Sequence, residues 1–197
     1  MPTREVVVIA ISGPSGAGKT TLVEKVATLL GNATTLFYDH YRAVAHWHPD
    51  IRQWVEQGCD PNQWANIPQL VEDVRALREG RAVVSPKSGQ VVESAPYIVL
   101  EEPWGRDRDE LKPLIDFVAH IAIPLDISLC RKLLRDAANP ALRFDPLAFA
   151  QDYLTERIGE VYRRQQQVSE HADLVLDGLQ PPDELAEAIA EQIRLRY

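Results

Sequence analysis

At 197 residues the chain has the length of one domain, or one domain with a small lid, and can bury a real core. Its 45% hydrophobic and 25% charged residues exclude a disordered chain. A formal net charge of −8 with no Lys/Arg-rich run argues against a nucleic-acid surface, though not against small anions held by backbone N–H groups and a few placed cations.

The first apolar run, Val6 to Ile11, is continuous, as in a central strand covered on both faces. It is too short to span a membrane and lacks a signal-peptide cleavage pattern, so the expected compartment is the cytoplasm. A glycine-rich turn follows, and then a helix from Thr20 to Leu30 with Leu22, Val23, Val26, Leu29 and Leu30 inward, stopped by Gly31-Asn32. The next strand is expected at Thr34–Tyr38, ending in Asp39. Ile51–Gln57 and Pro68–Glu79 read as helices, the second carrying Leu70, Val71, Val74 and Leu77 on one face. Arg81–Ser85 reads as a short strand before the Pro86-Lys87-Ser88-Gly89 turn, and Tyr97–Leu100 as another strand, leading into Glu101-Glu102-Pro103. Val118–Ile123 and Ala172–Leu176 complete the main strands. A helix near Ser128–Asp136 and a longer one near Pro146–Val168 lie between them, and Asp183–Leu195 is a terminal amphipathic helix. The alternation predicts one three-layer α/β domain with a mainly parallel five-stranded sheet. Residues 137–145, with Asn139-Pro140 and Arg143, interrupt the helical pattern as a candidate short lid.

Gly13-Pro14-Ser15-Gly16-Ala17-Gly18-Lys19-Thr20 matches G-x-x-x-x-G-K-[ST], and the strand and helix that a P-loop requires flank it. Small residues let successive N–H groups turn into one concavity for phosphate oxygens, and the following helix aims its positive end there. Lys19 is expected to neutralise the β- and γ-phosphates of ATP, and the Thr20 hydroxyl to hold Mg²⁺, with Thr21 completing the segment.

Other parts are sought at the C-terminal ends of neighbouring strands. Asp39 can serve as general base for an attacking hydroxyl, or can simply form a turn. Glu101 or Glu102 can orient Mg²⁺; alternate strand residues face opposite ways, so only one reaches the site. Arg131 and Arg135 share a helix face and can clamp phosphate, though helix arginines are commonly surface residues. Arg143 can close over ATP. Trp47, Trp54 and Trp64 either line an acceptor pocket or pack a helical insertion. His46 and His48 lack an acidic or cysteine cluster that would make them metal ligands, and Cys59 and Cys130 read as isolated thiols.

In this order the parts resemble the uridine kinase and phosphoribulokinase-like group of P-loop kinases. The landmarks are Gly13–Thr21, Phe37-Tyr38-Asp39-His40-Tyr41, Asp60-Pro61-Asn62-Gln63-Trp64, Tyr97–Glu102 with Glu102 the better match, Arg131-Lys132-Leu133-Leu134-Arg135-Asp136 and Ala172-Asp173-Leu174-Val175-Leu176. The resemblance implies a kinase using ATP and Mg²⁺ on a hydroxyl of a small acceptor, a nucleoside first. Asp39 would be the base, His40, Tyr41, Asp60, Trp64 and Glu102 would line the acceptor side, and Arg131 and Arg135 would meet phosphate. The chain departs from the family in the short Ser85–Ala95 connection, with no counterpart to the base contacts unless Lys87 supplies one, and in a lid with only Arg143. Sugars, vitamin precursors and nucleoside monophosphates are alternative acceptors, and a nucleotide-binding protein without turnover is a further alternative. A GTPase switch would carry N-K-x-D and D-x-x-G signatures, which are missing. Sequence leaves the oligomeric state open.

Overall fold

The computed structural model describes residues 6–155 and 157–197. Elements run β1 (Val7–Ser12), α1 (Lys19–Leu30), β2 (Ala33–Phe37), β3 (His46–Trp47), α2 (Ile51–Glu56), α3 (Pro61–Trp64), β4 (Ala65–Asn66), α4 (Pro68–Arg78), β5 (Val83–Val84), β6 (Val91–Val92), β7 (Tyr97–Glu101), β8 (Phe117–Ala122), α5 (Leu125–Ala137), α6 (Pro146–Leu154), α7 (Arg157–Gln166), β9 (Leu174–Asp177) and α8 (Pro182–Arg196). Five strands form one sheet in the order β2-β7-β1-β8-β9, and every pairing in it is parallel. Two small antiparallel pairs, β3-β4 and β5-β6, lie outside it.

All six residues of β1 are buried, because this strand sits mid-sheet with helices on both faces. Alternation along the strands sorts the core in two. Val7, Ile9 and Ile11 pack with Leu22, Val23 and Val26 of α1 and Ala186, Ile189 and Ile193 of α8. Val8 and Ala10 pack with Leu70, Val71, Val74 and Leu77 of α4. These are the three layers expected. A third cluster, Trp54, Cys59 and Trp104, sits under the insertion that carries α2 and α3.

Three boundaries differ from the sequence reading in ways that matter for the site. The second strand stops at Phe37, and Tyr38–Tyr41 coil into a 3₁₀ turn, so Asp39 lies on that turn. Instead of one helix over 146–168 there are α6 and α7, followed by a 3₁₀ turn at Gln167–His171. The two helices fold onto each other, with the Tyr153 and Tyr162 rings 5.4 Å apart edge to face. A side chain at Gly159 would come within 3.1 Å of the Tyr153 carbonyl, so glycine permits this approach. Helix α5 extends to Ala137, leaving a loop at 138–145, and Asp145 caps α6 by accepting from the N–H groups of Leu147 and Ala148.

Candidate active site

The phosphate loop leaves β1 between β7 and β8, where Ile11 pairs with Glu101 and Ser12 with His120. Strands on either side of β1 connect in opposite senses, so a crevice opens above their C-terminal ends. Gly16 and Gly18 have φ of +87° and +101°, the left-handed region that glycine enters without strain. A Cβ on Gly16 would stand 2.1 Å from the Ser128 carbonyl, and the Ser128 hydroxyl in turn donates to the Ser15 carbonyl at 2.7 Å. Helix α5 thus grips the loop from behind, and only glycine fits between them.

Lys19, 7% exposed, folds over the loop and donates to the Pro14 carbonyl at 3.1 Å, with Glu101 Oε1 4.0 Å away. Burial pulls its pKa below the ordinary lysine value, Glu101 and Asp39 push back, and Arg135 adds to the depression. The charges of Glu101, Asp39, Arg135 and Glu102 therefore all converge on this ammonium. The Thr20 hydroxyl donates to Glu101 Oε2 at 2.9 Å.

Of the paired glutamates, Glu101 faces the phosphate loop. Glu102, expected on the metal side, engages other partners than the phosphate loop. Glu102 lies on the opposite face, fully buried, with Oε1 accepting from Arg108 Nε at 3.2 Å and from the Trp104 N–H at 3.1 Å. Burial raises the Glu102 pKa against the pull of Arg108. A hydroxyl beside a carboxylate is the hard oxygen set that Mg²⁺ takes together with phosphate oxygens, so Thr20 and Glu101 fit that ion. Among the described residues, no three His, Cys, Asp or Glu side chains converge as a metal site, His46 and His48 included.

On the acceptor side, the Asp39 side chain is 68% exposed and lies 3.7 Å from Arg42. His40 packs against Phe37 with ring centroids 5.0 Å apart; burial and then the Lys87 ammonium lower its pKa. Tyr41 is placed elsewhere than expected: it is 2% exposed, and its hydroxyl donates to Asp73 at 2.8 Å inside the α4 face of the core. The Asp60 carboxylate caps α3, accepting from Asn62 N–H at 2.9 Å. Trp64 stacks on Trp54 at 4.5 Å and meets Trp47 at 5.6 Å, while Trp54 meets Trp104 at 6.1 Å. The tryptophans are chiefly the core of the insertion, since Trp54 and Trp104 are 0% and 1% exposed.

The two arginines of α5 part company. Arg135 donates to Asp136 at 2.8 Å while its charge lowers the Lys19 pKa, whereas Arg131 donates to the Gly178 carbonyl at 3.2 Å. Arg143 is exposed on the 138–145 loop. Lys132 pairs with Asp136 and sits 4.9 Å from the rings of both Phe144 and Phe149, tying that loop and α6 to α5. Sequence reading missed Arg108 and His120. His120 is fully buried, with Nδ1 3.0 Å from the Ser12 hydroxyl, and no periodic pattern marks either residue.

Among the described residues no helix is long and apolar enough to cross a membrane. The chain is 24% identical over 142 residues to inorganic pyrophosphatase TTM2 of Arabidopsis thaliana, covering 66% of this chain but only 20% of that relative's length. It is 23% identical over 180 residues to the uridine kinase of Borrelia duttonii (strain Ly), covering 86% and 85% of the two chains. In fold it is similar to a possible uridine kinase from Bacillus stearothermophilus, with a TM-score of 0.52, 20% identity and coverage of 90% and 91%. The model of the phosphoribulokinase/uridine kinase family matches residues 8–142. With more than half of its length in that match, the chain belongs to the phosphoribulokinase/uridine kinase family of ATP-dependent phosphotransferases.

Proposed function

We propose that this protein transfers the γ-phosphate of ATP to a hydroxyl of a small metabolite, with a nucleoside as the first acceptor to test. The observation that carries this reading is the meeting of Lys19, Thr20 and Glu101 at the phosphate loop, with the Asp39 charge also felt at Lys19. The loop N–H groups and Lys19 hold the β- and γ-phosphates, and Thr20 and Glu101 hold Mg²⁺. The bound ion would offset charge on the transferring group. Asp39, on the rim of the crevice, accepts the proton of the attacking hydroxyl. Arg135 meets the phosphoryl charge from α5, and Arg143 reaches it from the 138–145 loop acting as a lid. Such catalysis rests on positioning and electrostatics. A nucleoside comes first because the relative matched along 85% of its own length is named a uridine kinase.

One observation favours a second reading. The β5-β6 hairpin is fastened to β2 by the Thr34 hydroxyl donating to the Glu93 carbonyl at 2.6 Å. Its turn brings Lys87 near His40, with Arg42 beside Asp39. Three cationic or ionisable groups around the acceptor rim suit an acceptor that carries an anionic group as well as its hydroxyl.

The deciding experiment measures ATP consumption against nucleosides, sugars, vitamin precursors, hydroxy acids and sugar phosphates, with Asp39→Asn in parallel. Stimulation by one acceptor, lost in Asp39→Asn while ATP still binds, supports the reading. ATP binding with no stimulation by any acceptor would count against it.

A further inference from the structure

Arg108 follows β7 in a segment with no regular structure, yet only 6% of it is exposed. Its guanidinium donates four hydrogen bonds: Nε to Glu102 Oε1 at 3.2 Å, Nη1 to the carbonyls of Ala65 at 2.6 Å and Pro61 at 3.3 Å, and Nη2 to the Tyr38 hydroxyl at 3.1 Å. It also lies 5.3 Å from the centroid of the Tyr38 ring. Three of these partners are chain neighbours of the acidic residues of the site. Tyr38 precedes Asp39, Pro61 follows Asp60, and Glu102 follows Glu101.

We propose that Arg108 is a positioning residue that fixes Asp39, Asp60 and Glu101 relative to one another and to the phosphate loop. The three acids come from separate segments: the turn after β2, the insertion before α3, and the end of β7. Backbone pairing ties only the last to β1, through Glu101 opposite Ile11 and the Glu102 N–H donating to the Ile11 carbonyl at 3.1 Å. Pairing of β2 with β7 sets Phe37 opposite Glu101 and so brings the Asp39 turn alongside. The Arg108 guanidinium, with donors in fixed directions, then joins that turn, the segment of Asp60 and the end of β7 at one point.

Stability alone is a poor reason for such a group. Taking a carboxylate and a guanidinium out of water offsets most of their attraction, and apolar replacements are often as stable. Moreover Glu102 Oε2 has no hydrogen-bond partner among the described residues, a desolvation cost that a purely structural contact would avoid. What the arrangement provides is geometry.

The test uses Arg108→Lys, which keeps the charge on Glu102 but cannot reach all four partners, and Tyr38→Phe, which removes a single hydrogen bond. Rate measurements rest on the kinase reading; a crystal structure of Arg108→Lys does not. With the best acceptor from the panel, kcat should fall about a hundredfold in Arg108→Lys and several-fold in Tyr38→Phe. ADP affinity by calorimetry should stay within about twofold of wild type, because the phosphate loop does not touch Arg108. In the variant crystal, the Asp39 and Asp60 carboxylates should shift by more than about 0.5 Å relative to Lys19. Unchanged kcat per folded molecule, or carboxylates that stay in place, would overturn the proposal. If wild type phosphorylates no acceptor, the kinase reading fails and the crystal alone decides the positioning role.

Discussion

Thr20 and Glu101 are 81 residues apart in sequence and joined by a 2.9 Å hydrogen bond, hydroxyl to carboxylate, at the mouth of the phosphate loop. The pairing of β1 with β7 places them there, since Ile11 sits opposite Glu101 and Thr20 begins the helix after the loop. The neighbouring Glu102 points through the other face of the sheet onto Arg108.

Two glutamates adjacent in sequence should therefore behave differently. Glu101→Gln is expected to lower kcat by about a hundredfold and to raise the Mg²⁺ concentration for half activity. Glu102→Gln should leave that Mg²⁺ dependence unchanged and instead cost about 3 kcal/mol of stability, because Arg108 stays buried without its counter-charge. A Mg²⁺ titration and a denaturant melt on both variants separate the two roles. A shift of Mg²⁺ dependence in Glu102→Gln alone would reverse the assignment.

Arg131 and Arg135 make a similar contrast on one helix. Arg135 pairs with Asp136 through Nε at 2.8 Å on an exposed side chain, and its charge still reaches Lys19, whereas Arg131 is engaged with the Gly178 carbonyl. Arg135→Ala is expected to reduce kcat at least about tenfold, and Arg131→Ala by less than about threefold, since only the first can face developing charge on the phosphoryl group. Steady-state kinetics at saturating ATP decide it, and equal losses would place both arginines on the phosphates.

Much of this arrangement was legible in the sequence. The glycine spacing and the apolar run before it located the phosphate loop, and the alternation of apolar runs located all five strands of the parallel sheet within a few residues. Period-two geometry also said that only one of Glu101 and Glu102 could reach the site. Which one depends on where β7 ends in its pairing with β1, and that is a tertiary fact. Tyr41 shows the same limit: it sits two residues beyond Asp39, but the 3₁₀ turn swings it into the core against Asp73. Arg108 left no signal, because it lies in an irregular segment among other charged residues and is buried by partners from two distant segments as well as from the nearby end of β7. The break between α6 and α7 was hidden because helical spacing continues on both sides of it.

The insertion rests on its tryptophans. Trp54 is completely buried, stacked on Trp64, and donates from its ring N–H to the Asp60 carbonyl at 2.6 Å. Trp54→Ala is expected to cost about 3–5 kcal/mol, with loss of acceptor affinity and retention of ADP binding, since it holds the segment carrying Asp60. Chemical denaturation together with calorimetry checks both halves. Loss of ADP binding in the folded variant would show that the insertion supports the phosphate loop as well.

His120 gives the chain an expected response to acid. It is fully buried beneath the phosphate loop, Nδ1 lies 3.0 Å from the Ser12 hydroxyl, and Nε2 has no partner among the described residues. Burial, aided by the Lys19 ammonium, holds its pKa down to about 4 from an ordinary 6.5. The imidazole is thus neutral when folded, whereas the unfolded chain takes up a proton as the pH drops below 6.5. Between about pH 6.5 and 4 the unfolded state binds more protons, so stability falls with falling pH across that window and this contribution levels off below about 4. The full loss is about 3 kcal/mol. His120→Gln can still hydrogen-bond Ser12 but cannot titrate, so its stability should fall less steeply over the same range. Urea denaturation of both proteins at intervals from pH 7 to 4 measures the difference, and parallel curves would assign the acid sensitivity to other groups.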